Sequence, residues 1–388
     1  MAAIFAASGD AEVLLLERTR DGGRKILISG GGRCNVLPAR LDEARFVTDS
    51  SGATLRNMLR SWPLREQIAF FEHDLGLPLV EEPESAKLFP VSNRARDVRD
   101  GLLRMARERG VTFMPDTSVR RFNPEAGGWR VERSGGPPIQ VDRVVVATGG
   151  LSVPTTGSDG TGLTVLGALG HVVHPVYPAL TPLLAEPAPF GSLAGVSLRV
   201  AITARSPERS ATATGGFLFT HHGYSGPAVL DVSHVATRSR EAVLRVRWTA
   251  LGASEWEAAL TPSGAGGVLG VLRRELPDRL AAALLHDAGI EAARPLAQIR
   301  REERRRLIDA LVRFELPWTG DEGYKKAEVT GGGVSLAEVD PRTMESRRHP
   351  GLYICGEALD AFGPIGGYNF LWAWATGRAA GLGAVRSP

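Results

Sequence analysis

Val144-Val145-Val146-Ala147-Thr148-Gly149-Gly150 reads as a strand that is apolar at every position and then breaks into a Thr-Gly-Gly turn. Continuous apolar character predicts a strand covered on both faces, the condition of parallel sheets flanked by helices. Glycines just past such a strand let the backbone pass close to a ligand. In open α/β sheets that place, beyond the carboxyl end of a strand, is where dinucleotides lie.

Two further segments extend this pattern. Upstream, Met1–Ser8 predicts a helix, Gly9-Asp10 a turn, and Glu12–Leu16 a buried strand ending at Glu17. An acid at that point of a dinucleotide-binding unit accepts hydrogen bonds from ribose hydroxyls; alone, such a residue is as a rule merely solvated. Downstream, Leu352–Cys355 predicts another apolar strand, followed by the loop Gly356–Gly367 and a helix over Asn369–Gly381. In that loop Asp360 is a carboxylate suited to ribityl hydroxyls. The amides of Gly366, Gly367 and Asn369 at the helix start are suited to negative charge on a reduced flavin.

Between them lies Arg24-Lys25-Ile26-Leu27-Ile28-Ser29-Gly30-Gly31-Gly32-Arg33-Cys34-Asn35, which predicts a loop with a strand-like Ile26–Ile28. Gly31 and Gly32 would let backbone amides approach a phosphate, and Arg24, Lys25 and Arg33 would supply charge. Helical periodicity covers 53–59, 64–75 and 96–109. Val111–Met114 predicts a strand, and 129–132 with 139–141 a hairpin.

The middle of the chain differs. Residues 180–250 hold short alternating segments, including Val196–Ile202 and Ala242–Trp248, and 253–315 read as helices. The expected fold class is therefore α/β, a Rossmann-like domain split by an insertion. The boundaries are 1–178 and 329–388 for the nucleotide-binding domain, 179–252 with 316–328 for a β-barrel or sandwich, and 253–315 for a helical subdomain.

The 388 residues carry 46 Lys+Arg against 43 Asp+Glu, a balance that argues for nucleic acid only where charge is concentrated. Two cysteines far apart support neither a disulfide framework nor a zinc site, and no metal is expected. No apolar run is long enough for a membrane span, no signal peptide is evident, and cytoplasm is the default expectation.

With GRKILISGGGRCN, KLFPVSNRARDV, ATGGLSVPTTGSDGTG, FTHHGYSGPAVLDVS and LYICGEALDAFGPIGGYNFLWAWATG in this order, the chain resembles the BaiN/RdsA-type bacterial NAD(P)/FAD-dependent oxidoreductases, a family that includes aminoacetone-oxidase-like enzymes. The resemblance spans nearly the whole sequence. It implies a split FAD-binding domain of glutathione-reductase type, with an inserted β-barrel and a small helical domain. It implies FAD as cofactor and NAD(P)H as electron donor. Glu17 would bind the adenosine ribose, and Arg24, Lys25, Gly31, Gly32, Arg33 and Cys34 would line the cofactor path. Gly149, Gly150 and Gly356 would lie near FAD, and Asp360, Gly366, Gly367 and Asn369 would hold the ribityl chain and flavin. The family's G-x-G-x-x-G is not found, so the sequence is read as N-terminally truncated.

Cys34 and His221 are the candidate proton donors, each with a plain alternative as a buried thiol or a turn cap. The expected acceptor is a small organic molecule or the C5–C6 bond of a uridine in ribosomal RNA. Arg300, Arg301, Arg304, Arg305 and Arg306, with Arg94, Arg96 and Arg99, mildly favour RNA, although with Glu302 and Glu303 interleaved the first five read better as a solvated helix face. A second reading is a flavin-free relic that binds nucleotides or partner proteins.

Overall fold

The computed structural model describes residues 1–262 and 266–386, and the chain divides into two units. Unit 1 comprises Met1–Pro178 and Glu328–Pro388, and unit 2 comprises Ala179–Ala327.

Unit 1 opens with helix α1 (Ala2–Ala6) and strand β1 (Leu14–Leu16). The segment expected to be a loop is helix α2 (Arg24–Ile28), capped by Gly23 in the left-handed conformation. Its Ile-Leu-Ile triplet suits a strand, but it packs on α5 (Ala95–Glu108) instead of a strand edge. The strands β2 (Leu37–Pro38), β3 (Leu79–Glu82) and β4 (Lys87–Pro90) form a small antiparallel sheet, separated by α3 (Gly52–Arg60) and α4 (Leu64–Ala69). Strand β5 (Thr112–Met114) pairs parallel to β1. A meander of β6 (Val119–Glu125), β7 (Gly128–Arg133) and β8 (Ile139–Val141) follows. The first of these escapes sequence reading because Arg120, Arg121, Asn123 and Pro124 mask its alternation. Strand β9 (Val144–Val146) leads to α6 (Thr161–Ala168) and β10 (Val173–Ala179).

Unit 2 carries β11 (Leu183–Leu184), β12 (Ser197–Arg205), β13 (Ser210–Phe219), β14 (Gly223–Ser225), α7 (Pro227–Arg238) and β15 (Val243–Arg247). There follow α8 (Ala253–Ala259), α9 (Val268–Leu272), α10 (Asp278–Asp287), α11 (Arg301–Val312), β16 (Phe314–Glu315) and β17 (Gly320–Asp321). The seven strands pair antiparallel in the order β16-β15-β12-β13-β14-β11-β17. Helix α7 packs against β12 and β13, whose inward Val200, Ile202, Ala204, Ala213 and Phe217 are buried. Helices α8–α11 share that apolar core through Trp256, Leu280, Leu284, Leu307 and Leu311.

The chain returns to unit 1 as β18 (Val329–Val334), which pairs with β10, and β19 (Leu352–Ile354), which runs parallel to β9 in the register Leu352↔Val144. Helix α12 (Tyr368–Arg386) closes the unit. It packs against α1, α3, α4, β9 and β19, so it is apolar around much of its girth. A side chain at Gly381 would stand 2.3 Å from the carbonyl oxygen of Ala2, so glycine is what lets α1 lie directly on α12. No helix among the described residues is long and apolar enough to cross a membrane.

Candidate functional site

Strand β1 uses one edge for β5, and β9 uses one edge for β19. All three residues of both strands line the same cavity of unit 1, of about 460 Å³. This accounts for a departure from expectation. Leu14, Leu15, Leu16, Val144 and Val145 are only half-buried, although their composition predicts full cover. At the carboxyl ends of these strands the cavity meets Glu17, Thr148 and Gly149, and Glu357 just beyond β19. Arg24 and Lys25 of α2 complete that rim.

One partly buried network ties Lys25 and Glu357 together on this rim. Lys25 Nζ donates to Glu357 Oε2 and to Ser152 Oγ, both at 2.5 Å. The Ser152 hydroxyl donates to Glu357 Oε1 at 2.5 Å, and the Thr330 amide donates to the same oxygen at 2.9 Å. Thr330 Oγ1 in turn accepts from the amides of Leu151 and Ser152 at 2.7 and 3.1 Å. Burial alone would raise the Glu357 pKa. The Lys25 ammonium and the donors from Lys25, Ser152 and Thr330 outweigh it and hold the carboxyl below its ordinary value. Glu17 is held too, with Oε1 accepting from the Thr19 amide at 2.8 Å and its hydroxyl at 2.6 Å. Arg24 pairs with Asp21 at 2.7 Å and is partly exposed.

Of the residues singled out from sequence, the cavity gathers Glu17, Arg24, Lys25 and Gly149; the others do not line it. Gly30, Gly31 and Gly32 form an exposed turn with φ of 55°, 68° and 84°, a left-handed run that favours glycine. Arg33 is anchored away from the cavity, 2.9 Å from Glu82 and 4.1 Å over the Phe89 ring. Gly150 packs against Thr330, and Gly356 opens the turn that carries Glu357. The amide of Gly356 donates to Thr376 Oγ1 at 2.9 Å. The Asn369 side chain is spent on Gly363, accepting from its amide and donating to its carbonyl, both at 2.9 Å. Gly366 and Gly367 have φ of 123° and 89° at the start of α12, and the Gly367 amide donates to the Asn35 side chain at 2.9 Å. His221 is exposed in unit 2, in the turn between β13 and β14.

Asp360 lies elsewhere than expected. Its buried Oδ2 accepts from Ser50 Oγ at 2.7 Å and from Thr48 Oγ1 and the Asp49 amide at 3.0 Å, with His174 Nε2 3.7 Å away. The acid that does reach the cavity, Glu357, is two residues past the strand in the pair Gly356-Glu357. That pair was the available sequence signal, outweighed by the better-known role of an aspartate. Asp360→Ala is accordingly expected to act on stability. It orphans buried donors at about 1–3 kcal/mol in all, read as a fall in the urea midpoint of unfolding.

Cys34 does not line the cavity either. It is fully buried, and burial pushes its thiol up to about 12, as it does for Cys355. A thiol so sealed packs as a small apolar group. Because both folded values lie above the unfolded one, the stability tied to these protons is complete below about pH 8.5. It is lost as pH rises from there toward 12. Native protein at pH 8 should leave both cysteines unlabelled by iodoacetamide, and unfolded protein should label both, as counted by mass spectrometry.

A family model described as the HI0933-like protein Rossmann domain matches residues 1–383. The chain is 33% identical to the 3-dehydro-bile acid delta(4,6)-reductase of Clostridium scindens, over 100% of this chain and 97% of that protein. It is 31% identical to the ribosomal RNA dihydrouridine synthase of Escherichia coli, over 97% of this chain and 92% of that protein. Among solved structures, a quinol-fumarate reductase with menaquinol molecules superimposes with a TM-score of 0.50 at 15% identity, over 99% of this chain and 68% of that chain. That last likeness is one of fold.

Proposed function

The chain belongs to the HI0933-like family of Rossmann-domain proteins, of the BaiN/RdsA type, and on that premise we propose that it is an FAD-dependent oxidoreductase that reduces a carbon–carbon double bond. The observation that carries this reading is the meeting of Glu17, Gly149 and Glu357, from beyond three different strands, on one cavity of about 460 Å³. Crevices outside the carboxyl ends of parallel strands take nucleotides, and this volume lies in the range of ligand pockets.

The residues present suit the cofactor. Glu17 offers a carboxylate for ribose hydroxyls, its Oε1 already oriented by Thr19. Lys25 and Arg24 bring positive charge to the rim, where a pyrophosphate would be received. Glu357, kept ionised by Lys25, is the better-placed acid for a polyol chain than Asp360. Bound flavin supplies the hydride chemistry; the chain supplies position and field. Reduced nicotinamide is the donor in this reading. The named relatives divide the acceptor between a small unsaturated molecule and a uridine of ribosomal RNA. In either case one carbon gains hydride and its neighbour a proton. Of the two sequence-derived proton donors, this reading keeps the exposed His221 over the sealed Cys34.

The test is direct. Purified protein incubated with FAD and passed over a desalting column should remain yellow, and NADH or NADPH should bleach it without oxygen. Protein that releases all flavin yet binds ADP would instead favour the flavin-free nucleotide-binding relic.

A further inference from the structure

The outer face of the unit 2 sheet carries a concentration of charge that nothing above uses. Along β12, Arg199, Ala201, Thr203 and Arg205 point away from the core, while Val200, Ile202 and Ala204 point into it. Along β15, Val243, Arg245 and Arg247 do the same, alternating with buried Leu244 and Val246. The register fixes how these rows meet. Arg247 stands opposite Ala201, Arg245 opposite Thr203, and Val243 opposite Arg205. Arg205 is thus diagonal to Arg245, and Arg199 diagonal to Arg247. The four arginines run diagonally across two neighbouring strands, with Arg245 and Arg247 about 7 Å apart on β15 and Arg199 and Arg205 flanking them about 20 Å apart on β12.

This charge is poorly compensated. Among the described residues, the side chains of Arg199, Arg205 and Arg247 have no hydrogen-bond or ion-pair partner, and that of Arg245 meets Glu315 only at 3.8 Å. Glu208 and Glu241 sit in turns beyond the strand ends. Like charges at diagonal positions of a sheet repel, so an isolated face of this kind is a net cost. The third strand continues the surface with Ser210, Thr212, Thr214 and Gly216, all exposed, small or hydroxylated. No aromatic side chain lies on the outward positions of these three strands.

By contrast, most arginines that the sequence offered for RNA are already engaged. Arg304 pairs with Glu257 at 2.8 Å, Arg305 with Glu302 at 2.9 Å, and Arg306 donates to the Ala288 carbonyl at 3.1 Å. Arg99 is buried against Asp100, and Arg94 lies 3.8 Å from Asp97.

We propose that this face of β12, β13 and β15 docks the phosphate backbone of a folded, base-paired RNA. Guanidinium groups with flanking hydroxyls are the usual phosphate contacts. The lack of aromatic platforms argues against single strands, whose bases stack on such side chains. The proposal rests on the RNA reading of the acceptor and gives it a surface.

The test measures binding of a fluorescent RNA duplex to the full chain between about 50 and 200 mM salt. With four phosphate contacts, wild-type affinity should fall by roughly 100-fold across that range. The triple variant Arg199→Ala, Arg205→Ala, Arg247→Ala should bind at least about tenfold more weakly at the low end, with a salt slope smaller by about three units. Its thermal unfolding midpoint should equal or slightly exceed that of wild type, since all three side chains are exposed and repel one another. Arg301→Ala with Arg305→Ala on α11 should change neither affinity nor slope. Wild-type affinity and slope in the triple variant would overturn the surface while leaving an RNA acceptor standing. No RNA binding by wild type at low salt would overturn the RNA acceptor itself. Equal binding of anionic phospholipid vesicles through the same arginines would overturn the assignment to RNA.

Discussion

Glu357→Ala is expected to lower the stability of the protein by about 3–5 kcal/mol and to abolish FAD retention in the same variant. The loss has two sources. The Lys25 ammonium, two-thirds or more withdrawn from solvent, keeps its charge and loses its counter-charge. The Thr330 amide and Ser152 hydroxyl lose their common acceptor. Breaking a buried pair from one side costs far more than the pair itself contributes. Glu357→Gln, which keeps an oxygen for Thr330, should recover about half of the stability but not the ionic hold on Lys25. Urea unfolding reads the first effect as a shift of midpoint at constant slope; absorbance after desalting reads the second. The pH dependence has a definite sign. The folded pKa of Glu357 lies below its unfolded value, so its contribution is full above about pH 4.3 and is lost as pH falls through the folded value. A Glu357→Ala protein with wild-type stability would remove the network from any account of the site.

Gly367→Ala should cost about 4 kcal/mol, combining a left-handed backbone penalty with a collision that cannot relax. The backbone there has φ of 89°, and an added Cβ would stand 2.4 Å from the carbonyl carbon of Leu37 and 2.7 Å from the nitrogen of Pro38. Those are main-chain atoms of β2, which β4 holds in register. Neither side can swing away as a long side chain would. The expected readout is a fall of several degrees in the thermal midpoint, with the variant recovered largely from the insoluble fraction. A midpoint equal to wild type would mean that β2 yields more readily than its pairing suggests.

Most of the architecture was legible because it rests on local periodicity. Val144–Val146 and Leu352–Ile354 are strands, as their composition suggests, and they pair with one another, although the first lies half-open to the cavity. The site was harder. Periodicity marks where a strand ends but not which following acid lines the cavity, which Glu357 does and Asp360 does not. The side chains that hold these acids, Ser50 for Asp360 and Lys25 for Glu357, lie 310 and 332 positions away. Arg24–Ile28 misled because five residues with two β-branched isoleucines suit either state, and only packing on α5 decides. The arginine face shows the same limit. Each strand's alternation can be read in isolation, but the diagonal pairing of Arg205 with Arg245 needs the register.

The seating of α1 on α12 bears on how the protein is made. A ribosome adds about 5–20 residues per second, so roughly 20–70 s separate the emergence of α1 from that of α12. During that interval the contiguous stretch 179–327 is finished and has all of its own strands and helices. Unit 1 does not: α1 and the floor under β9 and β19 await α12. The nascent chain therefore carries a completed unit 2 between two halves of an unfinished one. Its apolar β1 and β9 stay accessible to chaperones until α12 emerges, and termination between the end of unit 2 and α12 leaves a completed insertion on an unfinished host.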